Sequence, residues 1–372
     1  MLRTTSSVTQ TSRRILFGLI IVASSILVVE AKPAQAQLAN EASKLGVMTY
    51  NVDEGTDFTQ LAAATNLPQL LRAVGQTIAQ VRATDPPSRM QQLAKEILAA
   101  APTLVSLQEL DQWYSGPIDP ATLSCGPLAL EFDLLQELLN ALGPSYQLVY
   151  QALQYQLPTV PGVIGATGTF LCVAARNYIA VLARADLPPS VLQLSNVQSA
   201  QYTSKAYFKT PVKSFPEPHA WIALHANFNG ESFRFIGTHL ESGDAGVRRA
   251  QGGELRAGPA NTSLPVILAM DSNAQAAPPP QDPTYGDFTA AGYADAWAEL
   301  LPQRPGFTCC QAESVNNRFS HLSRRIDLIL TSGNLRAAKI ARYGATAAAK
   351  TPAGLWPSDH AGVAAQIVAA AP

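Results

Sequence analysis

The chain has 372 residues, of which 47% are hydrophobic and 14% charged, and its net charge is −1. That balance excludes an intrinsically disordered chain, which buries too little apolar surface to offset its ordering entropy, and it supports one large core or two modest ones. Near-neutrality also argues against a protein that holds nucleic acid mainly by neutralising phosphates, while leaving nucleic-acid turnover open.

At the N-terminus, Arg13 and Arg14 precede an apolar run from Ile15 to Val29, and Ala34-Gln35-Ala36 follows. The run is short of the roughly 20 residues that span a bilayer, and Ser24 and Ser25 interrupt it. A basic segment, an apolar segment and a small-residue site describe a cleavable export signal over residues 1–36, with cleavage expected after Ala36 and a secreted or periplasmic product. Ser12-Arg13-Arg14 also resembles the start of a twin-arginine signal. Removing residues 1–36 takes away Arg3, Arg13, Arg14, Lys32 and Glu30, leaving a net charge of −4. Residues 37–43 read as a short linker and 44–372 as a single domain.

Apolar runs of strand length then recur in chain order: Leu45 to Tyr50, Leu104 to Leu107, Tyr146 to Tyr150, Tyr178 to Leu182, Trp221 to Phe228, Phe233 to Thr238, Val266 to Met270, Ile326 to Leu330 and Gly362 to Val368. Helical spacing appears from Arg89 to Ala100 and from Phe132 to Leu142. Asn229-Gly230, between two of the strands, is a strong hairpin signal. Hairpins and crossovers together imply mixed sheets with helices outside, and the strands suffice for two stacked sheets. The Pro/Gly-rich segments Pro158 to Gly168 and Pro188 to Pro218 read as loops shaping a cleft. Within the second, Tyr202, Lys205, Tyr207, Phe208, Lys209 and Lys213 interleave aromatics with lysines, as an edge hairpin with snorkelling lysines would.

Four cysteines in an exported chain invite disulfides, and four allow three pairings. The simplest joins Cys125 to Cys172 and leaves the adjacent Cys309 and Cys310 as a vicinal pair or as free thiols. No Cys-x-x-Cys or Cys/His cluster suggests a zinc site.

Polar residues collect at the C-terminal ends of the strands: Asn51-Val52-Asp53, Gln108-Glu109, His239-Leu240-Glu241 and Asp271-Ser272-Asn273. Any one of these is ordinary turn chemistry. Arg325-Ile326-Asp327 places a carboxylate in an apolar segment, where it needs a partner, and His360 in Ser358-Asp359-His360 is a candidate for that partner.

In order and type, Asn51-Val52-Asp53, Gln108-Glu109, Thr238-His239-Leu240, Asp271-Ser272-Asn273, Arg325-Ile326-Asp327 and Ser358-Asp359-His360 resemble the six motifs of the endonuclease/exonuclease/phosphatase superfamily, which includes deoxyribonuclease I. The resemblance implies an α/β fold, a four-layer sandwich of two stacked mixed β-sheets flanked by helices, with the active site at one edge. It implies that Glu109 is the principal metal ligand, with Asn51, Asp53 and Asp359 near it. Oxygen donors favour Mg²⁺ or Mn²⁺. It further implies that Asp271 and Asn273 orient and deprotonate the water or hold the phosphate, and that Asp327 orients His360, which contacts the phosphate or acts as base. His239 would polarise a phosphate oxygen or protonate the leaving group; a histidine there is found in deoxyribonuclease I and sphingomyelinases. Arg176 falls where deoxyribonuclease I has a phosphate-contacting arginine. The expected activity is a secreted metal-dependent phosphoesterase, a phosphodiesterase or endonuclease acting on DNA or RNA. The alternatives are a sphingomyelinase-type enzyme acting on membrane lipid, a phosphatase, or a non-catalytic binding module on the same fold. No protein partner is implied.

Overall fold

A computed structural model describes residues 44–369, apart from 120, 123, 166–167 and 277–280. The export signal, its cleavage site after Ala36 and the linker expected over 37–43 lie outside the described residues. In chain order the strands are β1 (Leu45–Asn51), β2 (Leu104–Gln108), β3 (Gln112–Gly116), β4 (Ile118–Asp119), β5 (Ser124–Cys125), β6 (Ala129–Asp133), β7 (Tyr146–Ile164), β8 (Thr169–Arg184), β9 (Leu192–Gln201), β10 (Ala206–Lys209), β11 (Ser214–Glu217), β12 (Ala220–Phe228), β13 (Glu231–His239), β14 (Val266–Asp271), β15 (Ala294–Asp295), β16 (Asp327–Thr331), β17 (Leu335–Tyr343) and β18 (Gly362–Ala369).

Alternation along β1 explains the layering. Leu45 and Val47 enter one core and Met48 and Tyr50 another, so both faces of the strand are covered and its sequence reads as a continuous apolar run. The first core lies between an eight-stranded sheet, ordered β17-β18-β1-β2-β8-β3-β6 with β7 also paired to β8, and a six-stranded sheet, ordered β15-β16-β14-β13-β12-β9. It joins Val47, Val181 and Ile367 of one sheet to Leu224, Phe235 and Ile329 of the other. On the outer face of the larger sheet, helices Leu67–Ala83, Pro86–Ala100 and Leu134–Leu142 bury Ile78, Leu93 and Leu138. Helices Ala245–Ala257 and Pro283–Ala290 cover the smaller sheet with Leu255 and Phe288. The result is the four-layer α/β sandwich that the motifs implied. At Gly237 the sheets approach so closely that a Cβ would meet Ser106 Oγ at 2.6 Å.

Each strand expected from the sequence is present, and Asn229 (φ 52°) and Gly230 (φ 92°) make the left-handed turn expected between β12 and β13. Two differences concern the segments read as loops. Pro158 to Gly168 belongs mostly to the end of the long β7/β8 hairpin; β7 pairs on one side only, and such an edge strand tolerates Pro158 and Pro161 because no outward N–H is needed. Pro188 to Pro218 contains β9 and the two-stranded β10/β11 hairpin, where Tyr207 and Lys209 face outward and Phe208 inward. Helix Leu67–Ala83, not among the expected elements, carries Gly75 at its centre. There the hairpin crosses the helix, and a Cβ would overlap the carbonyl oxygen of Val163.

Candidate active site

Strand direction gathers the polar residues. β1 runs parallel to β2 and β13 parallel to β14, so Asn51, Glu109, His239 and Asp271 emerge at the same edge of the two sheets. Asp327 begins β16, antiparallel to β14 and directly opposite Asp271. His360 precedes β18, antiparallel to β1. Two sheets thereby deliver six motifs to one cavity of about 250 Å³, lined by Asp53, Glu109, His239, Asp271, Asn273, Asp359 and His360 among others. A larger surface hollow of about 880 Å³, beside Leu192, His225 and Asn227, contains no carboxylate.

Asn51 spans the gap between the sheets, its Nδ2 donating to Glu109 Oε1 at 2.6 Å and to Asp271 Oδ2 at 3.0 Å. The backbone N–H of Glu54 donates to Glu109 Oε2 at 3.2 Å. Asp271 Oδ2 lies 3.6 Å from His239 Nε2 and 3.8 Å from His360 Nδ1, while its Oδ1 accepts the N–H of Asn273. His360 Nδ1 lies 2.8 Å from Asp327 Oδ2, giving the buried carboxylate the partner it needs. Three residues at the site hold a left-handed backbone: Asp53 (φ 64°), Glu109 (φ 59°) and Asn273 (φ 50°). For non-glycine residues such conformations cost about 1–3 kcal/mol each and persist where the surroundings over-determine them.

Burial dominates the electrostatics. It pushes Glu109 up to about 7, against the pull of His360 and Asn51, and Asp327 up to about 6, against His360. Burial likewise holds Asp359 well above the usual carboxylate range. For His360, burial acts downward but is outweighed by Asp327, Asp359 and Asp271, which hold the imidazole well above its ordinary value. His239 lies well below its ordinary value through burial and the nearby His219 and His360. Gln154 Nε2 lies 3.3 Å from its Nδ1 and Asn273 Nδ2 3.1 Å from its Nε2.

The residues fit a divalent cation. The carboxylates of Glu109 and Asp359 both line the cavity, and buried Asp359 Oδ1 has no hydrogen-bond partner. Raised carboxyl pKa values are what an acid-rich cavity shows before a cation offsets its charge. A set rich in carboxylate and amide oxygen suits Mg²⁺ or Mn²⁺.

Of the residues singled out in the sequence, Asp53, Glu109, His239, Asp271, Asn273, Asp359 and His360 meet at this cavity, while Asn51 stands fully buried behind Glu109 and Asp271, and Asp327 behind His360. Asp53 also has a structural tie, its Oδ2 lying 3.3 Å from the buried Arg89. Arg176 is not brought to the cluster. It lies within β8, exposed, with its guanidinium 5.3 Å above the Tyr114 ring, because alternation along the strand turns Asn177 inward instead. Asn177 Nδ2 donates to Glu54 Oε2 and Asp111 Oδ1, both at 2.7 Å. Glu54, Tyr155, Asn177, Glu217 and His219 line the cavity without having been singled out. Only Glu54, one residue past Asn51-Val52-Asp53, stood near a motif. Cys125 and Cys172 are joined, as are Cys309 and Cys310, and the second pair lines the cavity.

A model described as the endonuclease/exonuclease/phosphatase family matches residues 48–360. The chain superposes on TDP2 of D. rerio complexed with single-strand DNA product, with TM-score 0.52 and 18% identity over 88% of this chain and 99% of that one. It superposes equally, at TM-score 0.52 and 15% identity, on an endonuclease/exonuclease/phosphatase family protein from Bacteroides thetaiotaomicron, over 87% and 94% of the two chains. A functionally unknown conserved protein from Enterococcus faecalis V583 gives TM-score 0.52 and 14% identity over 87% and 100%. At these identities the likeness is one of fold. No curated protein matches the sequence.

Proposed function

Since the chain belongs to the endonuclease/exonuclease/phosphatase family, whose members are hydrolases acting on phosphoesters, we propose that it is an exported, metal-dependent phosphodiesterase with nuclease-type activity. The observation that carries this reading is the meeting of Glu109, His239, Asp271, Asn273, Asp359 and His360 in one cavity, with Asp327 buried behind His360. A binding module has no need to hold the buried carboxyls of Glu109 and Asp359 above the usual carboxylate range.

Glu109, Asn51 and Asp359 would hold the cation, Asp53 beside them. When bound, the cation neutralises charge developing on the phosphoryl oxygens. Asp271, bracketed by Asn51, His239 and His360, is the base that takes a proton from the attacking water. His360, kept protonated by its three carboxylate neighbours, holds a phosphoryl oxygen as a positioned cation. Asn273 adds an amide donor on the same wall. His239, held between the amides of Gln154 and Asn273, stands on the wall beside the phosphoryl oxygens.

DNA is the first substrate class to try, because the D. rerio protein of this fold was captured with a single-strand DNA product. The test is hydrolysis of bis-(p-nitrophenyl) phosphate, DNA and sphingomyelin by the mature protein, with Mg²⁺ or Mn²⁺ and with EDTA, beside Glu109→Ala and His360→Ala. Metal-dependent cleavage lost in both variants supports the reading and names the substrate branch. A folded wild type inactive on all three overturns the phosphodiesterase reading. N-terminal sequencing of the exported protein tests cleavage after Ala36.

A further inference from the structure

His219 belongs to none of the motifs, yet it lines the cavity and is only 3% exposed. It stands immediately before β12, with its ring edge-on to that of His239, centroids 4.8 Å apart and planes at 87°. Its Nε2 lies 3.5 Å from Glu241 Oε2, at the limit of a hydrogen bond, and neither ring nitrogen has a hydrogen-bond partner among the described residues. Buried imidazole nitrogens without partners are costly in a folded protein. Such a group, facing the cavity of an enzyme, is placed to meet a substrate atom.

A division of labour follows from the two neighbouring imidazoles. Both nitrogens of His239 lie within 3.3 Å of amide nitrogens, Gln154 on one side and Asn273 on the other, so the hydrogen-bonding positions of that ring are already taken. His219 is engaged by no amide and is backed by a carboxylate, which is the arrangement that lets an imidazole hold and release a proton. Glu241 is itself held in place, its Oε1 accepting the N–H groups of Gly243 at 2.8 Å and Asp244 at 3.3 Å, which leaves its Oε2 toward His219. Glu217, on β11, is the other charged group facing His219. Two histidine–carboxylate pairs thus serve one cavity, His360–Asp327 at 2.8 Å and His219–Glu241 at 3.5 Å, with both imidazoles in its lining.

We propose that His219, positioned by Glu241, is the proton donor to the departing oxygen of the phosphodiester. This rests on the hydrolase reading above and assigns the acid step to a residue outside the six motifs. Water oxygen bonds to phosphorus as its proton passes to Asp271. The phosphorus–oxygen bond to the leaving group breaks with its electron pair on that oxygen, which takes the ring proton of His219. Solvent then reprotonates His219 and takes the proton from Asp271, so that diester and water yield monoester and alcohol.

The experiment compares leaving groups in the intact mature protein with Mg²⁺. One substrate is bis-(p-nitrophenyl) phosphate, whose phenolate departs without a proton. The other is whichever of DNA or sphingomyelin the wild type cleaves, where an alkoxide departs and needs one. His219→Gln and His219→Ala are expected to lower kcat/KM on the alkoxide substrate by about 100-fold or more, in the range of general acid catalysis. The loss on the nitrophenyl ester should be at least about tenfold smaller, since that ester draws little on the acid. Glu241→Gln should reproduce the same dependence on the leaving group in weaker form, since Glu241 acts only through His219. Equal losses on both substrates, with melting temperature and circular dichroism unchanged, overturn the proposal, as does a leaving-group dependence that follows His239→Ala instead. The near-isosteric glutamine variant keeps the comparison usable if the alanine variant unfolds. A wild type inactive on every diester fails at the earlier step and sinks the hydrolase reading itself.

Discussion

His360 Nδ1 and Asp327 Oδ2 stand 2.8 Å apart although one residue leads into the eight-stranded sheet and the other opens a strand of the six-stranded sheet. The contact fixes the imidazole orientation across a sheet boundary. Asp327→Asn keeps the shape but removes the charge that holds His360 protonated. The expected result is a fall in kcat of roughly 10²–10⁴-fold, the size of a lost acid–base or oriented-cation contribution, with the apparent metal affinity little changed because Asp327 does not line the cavity. Steady-state kinetics at several Mg²⁺ concentrations separate the two quantities. A variant losing metal affinity and keeping kcat would contradict the assignment.

A second expectation concerns pH. Glu109 sits at about 7 against an ordinary 4.5, and Asp327 at about 6 against 3.8. A raised carboxyl pKa means the folded state binds the proton more tightly. The contribution to stability is complete below the unfolded value and is lost as pH rises through the folded one. Metal-free protein should therefore melt at progressively lower temperature as pH rises from 4.5 to about 7. Added Mg²⁺ should raise the melting temperature more at the upper end of that window, where the ligands are ionised. Thermal scans in EDTA and in Mg²⁺ across the window check both signs.

Arg89 is wholly buried, and its guanidinium donates to the carbonyls of Thr84, Val52, Asp53 and Pro357 while facing the Asp53 carboxylate. It ties the Asn51-Val52-Asp53 segment to the one leading into Asp359 and His360. Arg89→Met should cost roughly 3–5 kcal/mol by leaving Asp53 without its buried partner, and should lower activity together with stability. Urea unfolding measures the first and turnover the second; wild-type stability would show that the carbonyls have other donors.

The Cys125–Cys172 bond closes a separation of 47 residues with a Cα–Cα distance of 5.7 Å. Neither cysteine lines the cavity. Cys125→Ser should lower stability by up to about 4 kcal/mol, the chain-entropy ceiling for a loop of that length, while kcat at a temperature well below melting is retained. Denaturant curves for the variant and for wild type under reducing conditions provide the check.

The proposed catalytic wall was legible because its residues sit at strand ends, where direction decides which edge they share. Asn51, Glu109, His239 and Asp271 each follow an apolar run, and it was the ordered set of motifs they belong to that marked them out. His219, Asn177 and Tyr155 were not legible in that way. Each reaches the cavity through tertiary crossing: Tyr155 and Asn177 by the long β7/β8 hairpin, His219 by the chain entering β12. Arg176 illustrates the same limit, since proximity to a motif position could not tell which face of β8 it occupies, and its neighbour Asn177 took the inward one. The β7/β8 hairpin was seen only as two short strands because its prolines and bulges break the pattern of alternation.

Asn51 reaches Asp271, and His360 reaches Asp327, only when the two sheets are docked face to face with Gly237 against Ser106. Neither sheet alone contains a complete set of reacting groups. Recovery of turnover during refolding is consequently a clock for the docking of the two halves: spectroscopic signals of strand and helix can return earlier, but catalytic competence arrives only with that last long-range closure.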